Sequence, residues 1–283
     1  MSDTPAAETL LDMPNEQYHR TAAASKSTLD LVAQSPALVP WSRAAPEDEE
    51  AASQIDIGNA FEALLLEPER FAATYLVDTA LNKSTKEGKA EAAAVREQAD
   101  EAGAAILTPK QYAQVHLMQR SALAHPVVAS LLGQRIAAQR SWFWFDEDTG
   151  VDCKCRPDVM LTGRPVVADI KISGQIDRFA NSVHDYRYHV QAALYSDAYY
   201  WATGKPLKAY GFLAIEETLP HPAQLYVLDD EAMELGRRLY RRDLNTYAHC
   251  VQTGEWPSYA DEPKTLSLPH WAINKTETEL EGD

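Results

Sequence analysis

The stretch Cys155-Arg156-Pro157-Asp158-Val159-Met160-Leu161-Thr162-Gly163-Arg164-Pro165-Val166-Val167-Ala168-Asp169-Ile170-Lys171-Ile172-Ser173 decides how the chain is read. Thr162-Gly163-Arg164-Pro165 is turn chemistry between two apolar runs, so the stretch predicts two β-strands joined by a turn. Side chains alternate along a strand, which puts Asp169 and Lys171 on one face and Ile170 on the other. A carboxylate and an ammonium on an apolar, buried strand are costly unless paired or metal-bound. If the hairpin returns Asp158 beside Asp169, two carboxylates and a lysine converge. That set can hold Mg²⁺ and attack a phosphodiester. The plainer reading is a core hairpin with a structural Asp–Lys pair, and the local pattern does not separate the two.

Working outward, the length of 283 residues predicts one large domain or two, with a sizeable core. No apolar run is long enough to span a bilayer. Met1 to Arg20 carries Asp3, Glu8, Asp12 and Glu16 and does not read as a signal peptide. The three cysteines, Cys153, Cys155 and Cys250, argue against a disulfide framework and point to a reducing, cytoplasmic setting. The net charge of −16 argues against a nucleic-acid binder when averaged over the chain. Acid is concentrated at Glu47-Asp48-Glu49-Glu50, Asp146-Glu147-Asp148 and Glu277 to Asp283. Arginine is concentrated at Arg156, Arg164, Arg178, Arg187 and the cluster Arg237, Arg238, Arg241, Arg242. An acidic exterior is therefore compatible with one basic groove.

Before the central stretch the chain reads as helical. Residues 1–17 are expected to be a flexible N-terminus. Ser25-Lys26-Ser27-Thr28 opens a helix closed by Ser35-Pro36; such a start holds phosphate, or is a plain N-cap. Residues 43–54 predict an acidic loop. Asp56 to Glu67 predicts a helix with Phe61, Leu64 and Leu65 facing the core and Glu62 beside them, which alone reads as a solvated glutamate. Asn82 to Lys86 reads as a turn, and three helices follow: an Ala/Glu-rich one to about Ala102, one from Thr108-Pro109 to about Ala124, and a short one from His125-Pro126 to Gly133.

From Gln134 the pattern turns to strand. Arg140 to Phe145, Val151 to Leu161 and Val166 to Ile172 predict a three-stranded meander. Gln175 to Val183 and His184 to Ala202 predict helices, then Leu207 to Glu216 and Gln224 to Leu228 strands. Asp229 caps a long helix whose arginines form a basic face, or pair with nearby Glu231, Glu234 and Asp243. Trp256 to Trp271 predicts irregular chain packed on the body. Residues 273–283 predict a disordered acidic tail, leaving 18–272 as the single domain. Phosphate-loop, zinc-protease, paired Cys-x-x-Cys and nucleophile-elbow motifs are absent from the sequence.

The order Gly58 to Pro68 (G-N-A-F-E-A-L-L-L-E-P), Cys155 to Asp158 (C-R-P-D), Asp169 to Lys171 (D-I-K) and Tyr188 to Tyr195 (Y-H-V-Q-A-A-L-Y) resembles a PD-(D/E)XK nuclease. More narrowly it resembles the RecE-type (exonuclease VIII-like) exonucleases of phages and prophages, related to lambda exonuclease. Asp185 to Gln191, Glu255-Trp256-Pro257 and Leu268 to Trp271 match as well, so the likeness spans nearly the whole chain. It implies an α/β (α+β) restriction-endonuclease-like core, a central mixed β-sheet flanked by helices. It also implies that Asp158, Asp169 and the Ile170 carbonyl bind metal, that Lys171 orients or deprotonates the attacking water, and that Gln191 sits over the site. Glu62 stands where close relatives usually carry His and is expected to bind metal directly or through water. Arg20 and Ser27 fall on the 5′-phosphate pocket of such enzymes, with Arg156 and Arg178 as further phosphate contacts.

The implied activity is Mg²⁺-dependent 5′-3′ digestion of linear double-stranded DNA to mononucleotides, leaving 3′ single strands, with Mn²⁺ able to substitute. The implied partners are duplex ends, a RecT-type single-strand annealing protein, and further copies of the chain in a ring of three or four. No membrane is involved, and the setting is the cytoplasm of a bacterial host. Two alternatives stand beside this: an endonuclease of the same superfamily, and a DNA-binding module whose nuclease site has decayed.

Overall fold

In the computed structural model, residues 12–46, 56–80, 84–134, 136–259 and 263–281 are described. Residues 1–11 of the expected flexible segment 1–17, residues 47–54 of the acidic loop expected at 43–54, residues 82–83 of the polar turn and the last two residues lie outside them; residues 15–17 and 43–44 are helical instead of loose.

The two runs of the central stretch become β6 (Val159–Leu161) and β7 (Val166–Ser173), joined by the predicted turn and paired antiparallel. β7 also runs parallel to β8 (Ala209–Glu216), which pairs antiparallel with β9 (Ala223–Val227). β6 is flanked on its other side by β3 (Ile136–Ala138). The result is a mixed five-stranded sheet in the order β3-β6-β7-β8-β9.

The expected three-stranded meander does not form. β4 (Trp142–Asp146) and β5 (Val151–Cys155) make a separate two-stranded hairpin. The chain breaks between β5 and β6 at Arg156-Pro157-Asp158. Pro157 has no N–H for a ladder, and the Asp158 side chain takes the N–H of Ile170 at 2.7 Å. The far edge of β5 is held by Ala24, which exchanges backbone hydrogen bonds with Asp152 and Lys154 at 2.8 Å each.

Both faces of the sheet are covered. On one face lie α4 (Ile57–Leu66), α7 (Pro109–Ala124) and α8 (Pro126–Leu132), around Phe61, Leu64, Val115, Met118 and Val128. The predicted core positions Phe61, Leu64 and Leu65 are buried, and Asp56 caps α4 through the Gly58 and Asn59 amides. On the other face lie α2 (Lys26–Gln34), α10 (Tyr188–Thr203) and α11 (Asp230–Thr253), with the β4–β5 hairpin. β8 shows the two-residue period: Tyr210, Phe212 and Ala214 join this second core, Leu213 and Ile215 the first. In β7, Val167 joins the α10 side and Ile170 and Ile172 the α4 side. Parity then assigns Asp169 and Lys171 to the face under α10.

Around this body are α1 (Asn15–Arg20), α3 (Leu38–Ala44), α5 (Pro68–Thr74), α6 (Lys86–Ala102) and the short parallel pair β1 (Tyr75–Val77) and β2 (Ala105–Leu107). A 3₁₀ turn at Ile176–Arg178 leads into α9 (Phe179–Asp185). After α11, Trp256 packs on Tyr247 and the Pro257 carbonyl accepts from Ala37, but the rest of the described segment does not pack on the body as expected, Tyr259, Leu266, Leu268 and Trp271 all being exposed. The tail differs from expectation: His270–Glu281 is helix α12, with none of its residues buried. An i,i+4 pair, Lys275 with Glu279, lies along it.

Candidate active site

Asp169 lies mid-strand in β7 and is only 1% exposed. Its carboxyl accepts from Gln191 Nε2 at 3.0 Å and from the Tyr210 hydroxyl. Gln191 comes from the first turns of α10, and Tyr210 from β8, the neighbouring parallel strand. Asp158, at the entrance to β6, divides its oxygens. Oδ2 accepts from the Ile170 amide, and Oδ1 accepts from Gln139 Nε2 at 2.9 Å. The same Gln139 nitrogen donates to Glu62 Oε1, from α4. Gln139 follows β3 with a left-handed backbone, φ 49°, and its own amide donates to the Asp158 carbonyl at 3.1 Å. Lys171 holds its ammonium 5.0 Å from the centre of the Tyr188 ring.

These groups perturb one another. Burial raises the pKa of Asp169 well above the carboxylate range, and the Asp158 charge adds to it. Burial likewise pushes Glu62 up to about 9, with Asp158 and Asp169 next in weight. Burial alone would lower the Lys171 pKa, but the carboxylates of Asp169 and Asp158 outweigh it and leave the value above the ordinary lysine range. Lys171 is thus a firmly held cation among crowded acids.

Among the described residues, no three His, Cys, Asp or Glu side chains are gathered into a ready-made metal site. The donor set nonetheless fits a hard divalent cation. Glu62, Asp158 and Asp169 offer oxygen only, and burial, then the neighbouring carboxylates, raises the pKa values of Glu62 and Asp169. Gln139 puts a hydrogen-bond donor between two of these carboxylates, where opposite charge is favoured.

A cleft of about 270 Å³ runs from Asp158, Asp169 and Lys171 to the start of α2, where Ser25, Lys26 and Ser27 line it. Lys154 and Arg156 add basic groups to its wall, and His19 an imidazole. Of the residues expected to hold phosphate, Ser27 and Arg156 line this cleft; Arg20 and Arg178 do not. Arg156 is heavily engaged: it donates to Ser141 Oγ, the Met13 carbonyl and Asn15 Oδ1, and covers the Tyr18 ring at 4.3 Å. Lys154 is buried and donates to the carbonyls of Tyr18 at 2.6 Å and Thr21 at 2.8 Å, which ties the end of α1 to the hairpin. Burial, then Lys154 and Arg156, lowers the His19 pKa, which favours a neutral imidazole.

Sequence reasoning missed Gln139, Tyr210, His19, Lys26 and Lys154. Tyr210 had a usable signal, its parity on a strand next to β7, but only once the parallel β7–β8 pairing is known. Gln139 had none, because a lone glutamine before an aromatic strand carries no pattern.

Three comparisons bear on this geometry. A family model described as "PDDEXK-like domain of unknown function (DUF3799)" matches residues 25–268. The fold is similar to the crystal structure of the "Putative exonuclease" of Eubacterium rectale, with a TM-score of 0.57 at 12% identity, covering 94% of this chain and 98% of that one. A phage-related exonuclease from Haemophilus somnus 129PT aligns over 62% of this chain and 91% of its own, at 15% identity and a TM-score of 0.32, too low to carry an argument. A search of curated proteins found no match.

Proposed function

Since the chain belongs to the PDDEXK-like domain family DUF3799, we propose that it is a divalent-metal-dependent nuclease, and specifically a RecE-type 5′-3′ exonuclease of linear double-stranded DNA. The observation that carries this is the meeting of Asp158, Asp169 and Lys171 at one end of a basic cleft, with Glu62 joined to Asp158 through Gln139. Glu62, Asp158, Asp169 and the Ile170 carbonyl would hold the metal, Mg²⁺ with Mn²⁺ as a substitute. A bound divalent cation would supply Lewis-acid polarisation of the scissile phosphate and a more acidic water.

The protein's own groups do the rest. Gln191 and Tyr210 fix the Asp169 carboxyl in one orientation. Lys171 is held protonated, so it acts as a donor: it orients the attacking water and stabilises charge on the phosphate, rather than removing a proton at rest. Ser27, Lys26 and His19 are the groups in the cleft best placed to receive the 5′-phosphate. Arg156 acts mainly by fixing the wall, given its three hydrogen bonds. Arg20 and Arg178 remain candidates only for DNA contacts outside the cleft. Duplex ends are the substrate, the products are mononucleotides and a 3′ single strand, and a RecT-type annealing protein would take up that strand.

The test is digestion of end-labelled linear duplex in Mg²⁺, with covalently closed circles alongside. Lys171→Ala and Asp169→Asn should each lower the rate at least about a hundredfold while keeping the circular dichroism of the parent. Undiminished digestion by either variant would remove the site assignment. Cutting of closed circles would make the protein an endonuclease instead.

A further inference from the structure

The segment Asp185-Tyr186-Arg187-Tyr188 joins α9 to α10 beside the cleft, and it is built in an unusual way. Arg187 adopts a left-handed backbone, φ 56° and ψ 39°, which a long side chain rarely does. It is held there from several sides. Its guanidinium pairs with Asp243, only 2% exposed, on α11, and with Asp30 on α2 at 3.4 Å. Lys26, paired with the same Asp30, donates to the Tyr186 carbonyl at 2.8 Å. Two helices, α2 and α11, thus clamp two residues of a connection.

The outcome of this clamping is the position of two rings. Tyr188 carries two ammonium groups near its ring, Lys171 at 5.0 Å and Lys26 at 5.8 Å from its centre. Tyr186 stacks on Tyr188, centroids 5.6 Å apart and planes 27° from parallel, yet it is 62% exposed. Other exposed aromatics exist among the described residues. Tyr186 is distinguished by a ring contact to the residue that touches Lys171. The order outward from the site is ammonium, ring, exposed ring.

We propose that Tyr186, backed by Tyr188, is a stacking platform for a terminal nucleobase of the DNA. This rests on the nuclease reading and adds to it how the strand end is held. Lys171 and Lys26 supply positive charge for the phosphate. The next ring outward supplies the flat apolar surface that a base of the same nucleotide or its neighbour requires. Stacking of this kind tolerates any base, because every base has a π face. The platform therefore suits an enzyme that moves along a strand irrespective of sequence.

The experiment uses the full chain in EDTA, so that binding is seen without cleavage. Duplexes carry 5-iodouracil at the terminal position of either strand, and affinity is read by fluorescence anisotropy of a dye at the far end. Light-induced crosslinking of the terminal base should map to Tyr186. Tyr186→Ala should weaken binding about fivefold or more, as loss of one base–aromatic stack does, and abolish the crosslink. Tyr186→Phe keeps the ring and should bind as the parent does. Parent affinity in Tyr186→Ala, or equal loss in the Ala and Phe variants, overturns the platform. If the parent protein still digests linear duplex in Mg²⁺, the nuclease reading stands when the platform falls. A parent protein that neither binds nor digests duplex ends overturns both.

Discussion

At the residue scale the most informative group is Glu62. A lone glutamate on a helix is ordinarily solvated. Here it is drawn into a site where burial, Asp158 and Asp169 push its pKa up to about 9. An unfolded chain loses that proton in the ordinary glutamate range. Between that range and about pH 9 the folded chain holds a proton that the unfolded chain has released, so stability falls as pH rises across the window. Asp169, also shifted upward, acts in the same direction. We expect the melting temperature in EDTA to decline from pH 5 to pH 9, and to decline less steeply in Glu62→Gln. Added Mg²⁺ should raise the melting temperature more at the alkaline end, because cation binding displaces the retained protons. Identical pH profiles for the two proteins would contradict the crowding described for Glu62.

At the scale of elements, the placement of Gln191 and Tyr188 depends on how closely α10 and α11 approach. Gly236 of α11 faces the His189 backbone. A Cβ built there would stand 2.1 Å from the His189 carbonyl oxygen and 3.1 Å from the Val190 amide. These are backbone atoms and cannot rotate aside. Gly236→Ala should therefore lower stability by about 1–3 kcal/mol, measured as a shift in the denaturation midpoint. It should also reduce nuclease activity, since the first turn of α10 carries the groups over the site. Parent stability would mean that the two helices slide apart freely. The periodicity of α4, the cap at Ser25 and the strands β6 and β7 were all legible in the sequence, because each rests on contacts within a few residues. The pairing of β6 with β3 was not. It depends on a break at Pro157 and on which distant strand is left to fill the edge.

At the scale of the molecule, the net charge of −16 must be reconciled with the proposed DNA substrate. Three of the four clustered arginines of α11 are paired with acids. Arg237 pairs with Asp197 and Glu234, Arg241 with Asp146 and Asp148, and Arg242 with Asp243. The alternative weighed for that helix, paired arginines, holds for these three, although the principal partners come from other elements. Positive charge collects instead in the cleft, through Lys26, Lys154, Arg156 and Lys171. Trp271 and Leu280 of α12 are exposed, as is Leu268 just before it, and apolar surface of this kind is often covered by another copy. We expect light scattering at micromolar concentration to give three or four times the 31.4 kDa chain mass. A monomeric mass would dismiss the ring. Among the described residues no helix is long and apolar enough to cross a membrane.

The local sequence was enough to identify the hairpin, the face shared by Asp169 and Lys171 and the order of motifs, because strand parity and turn chemistry are properties of neighbouring residues. It could not reveal that Gln139 lies between Glu62 and Asp158, that Tyr210 anchors Asp169, or that Lys154 is buried against main-chain carbonyls. Those contacts join residues from 19 to 136 positions apart. They exist because the sheet, both helical layers and the β4–β5 hairpin close around one another, and long-range packing of that kind leaves no period in the chain.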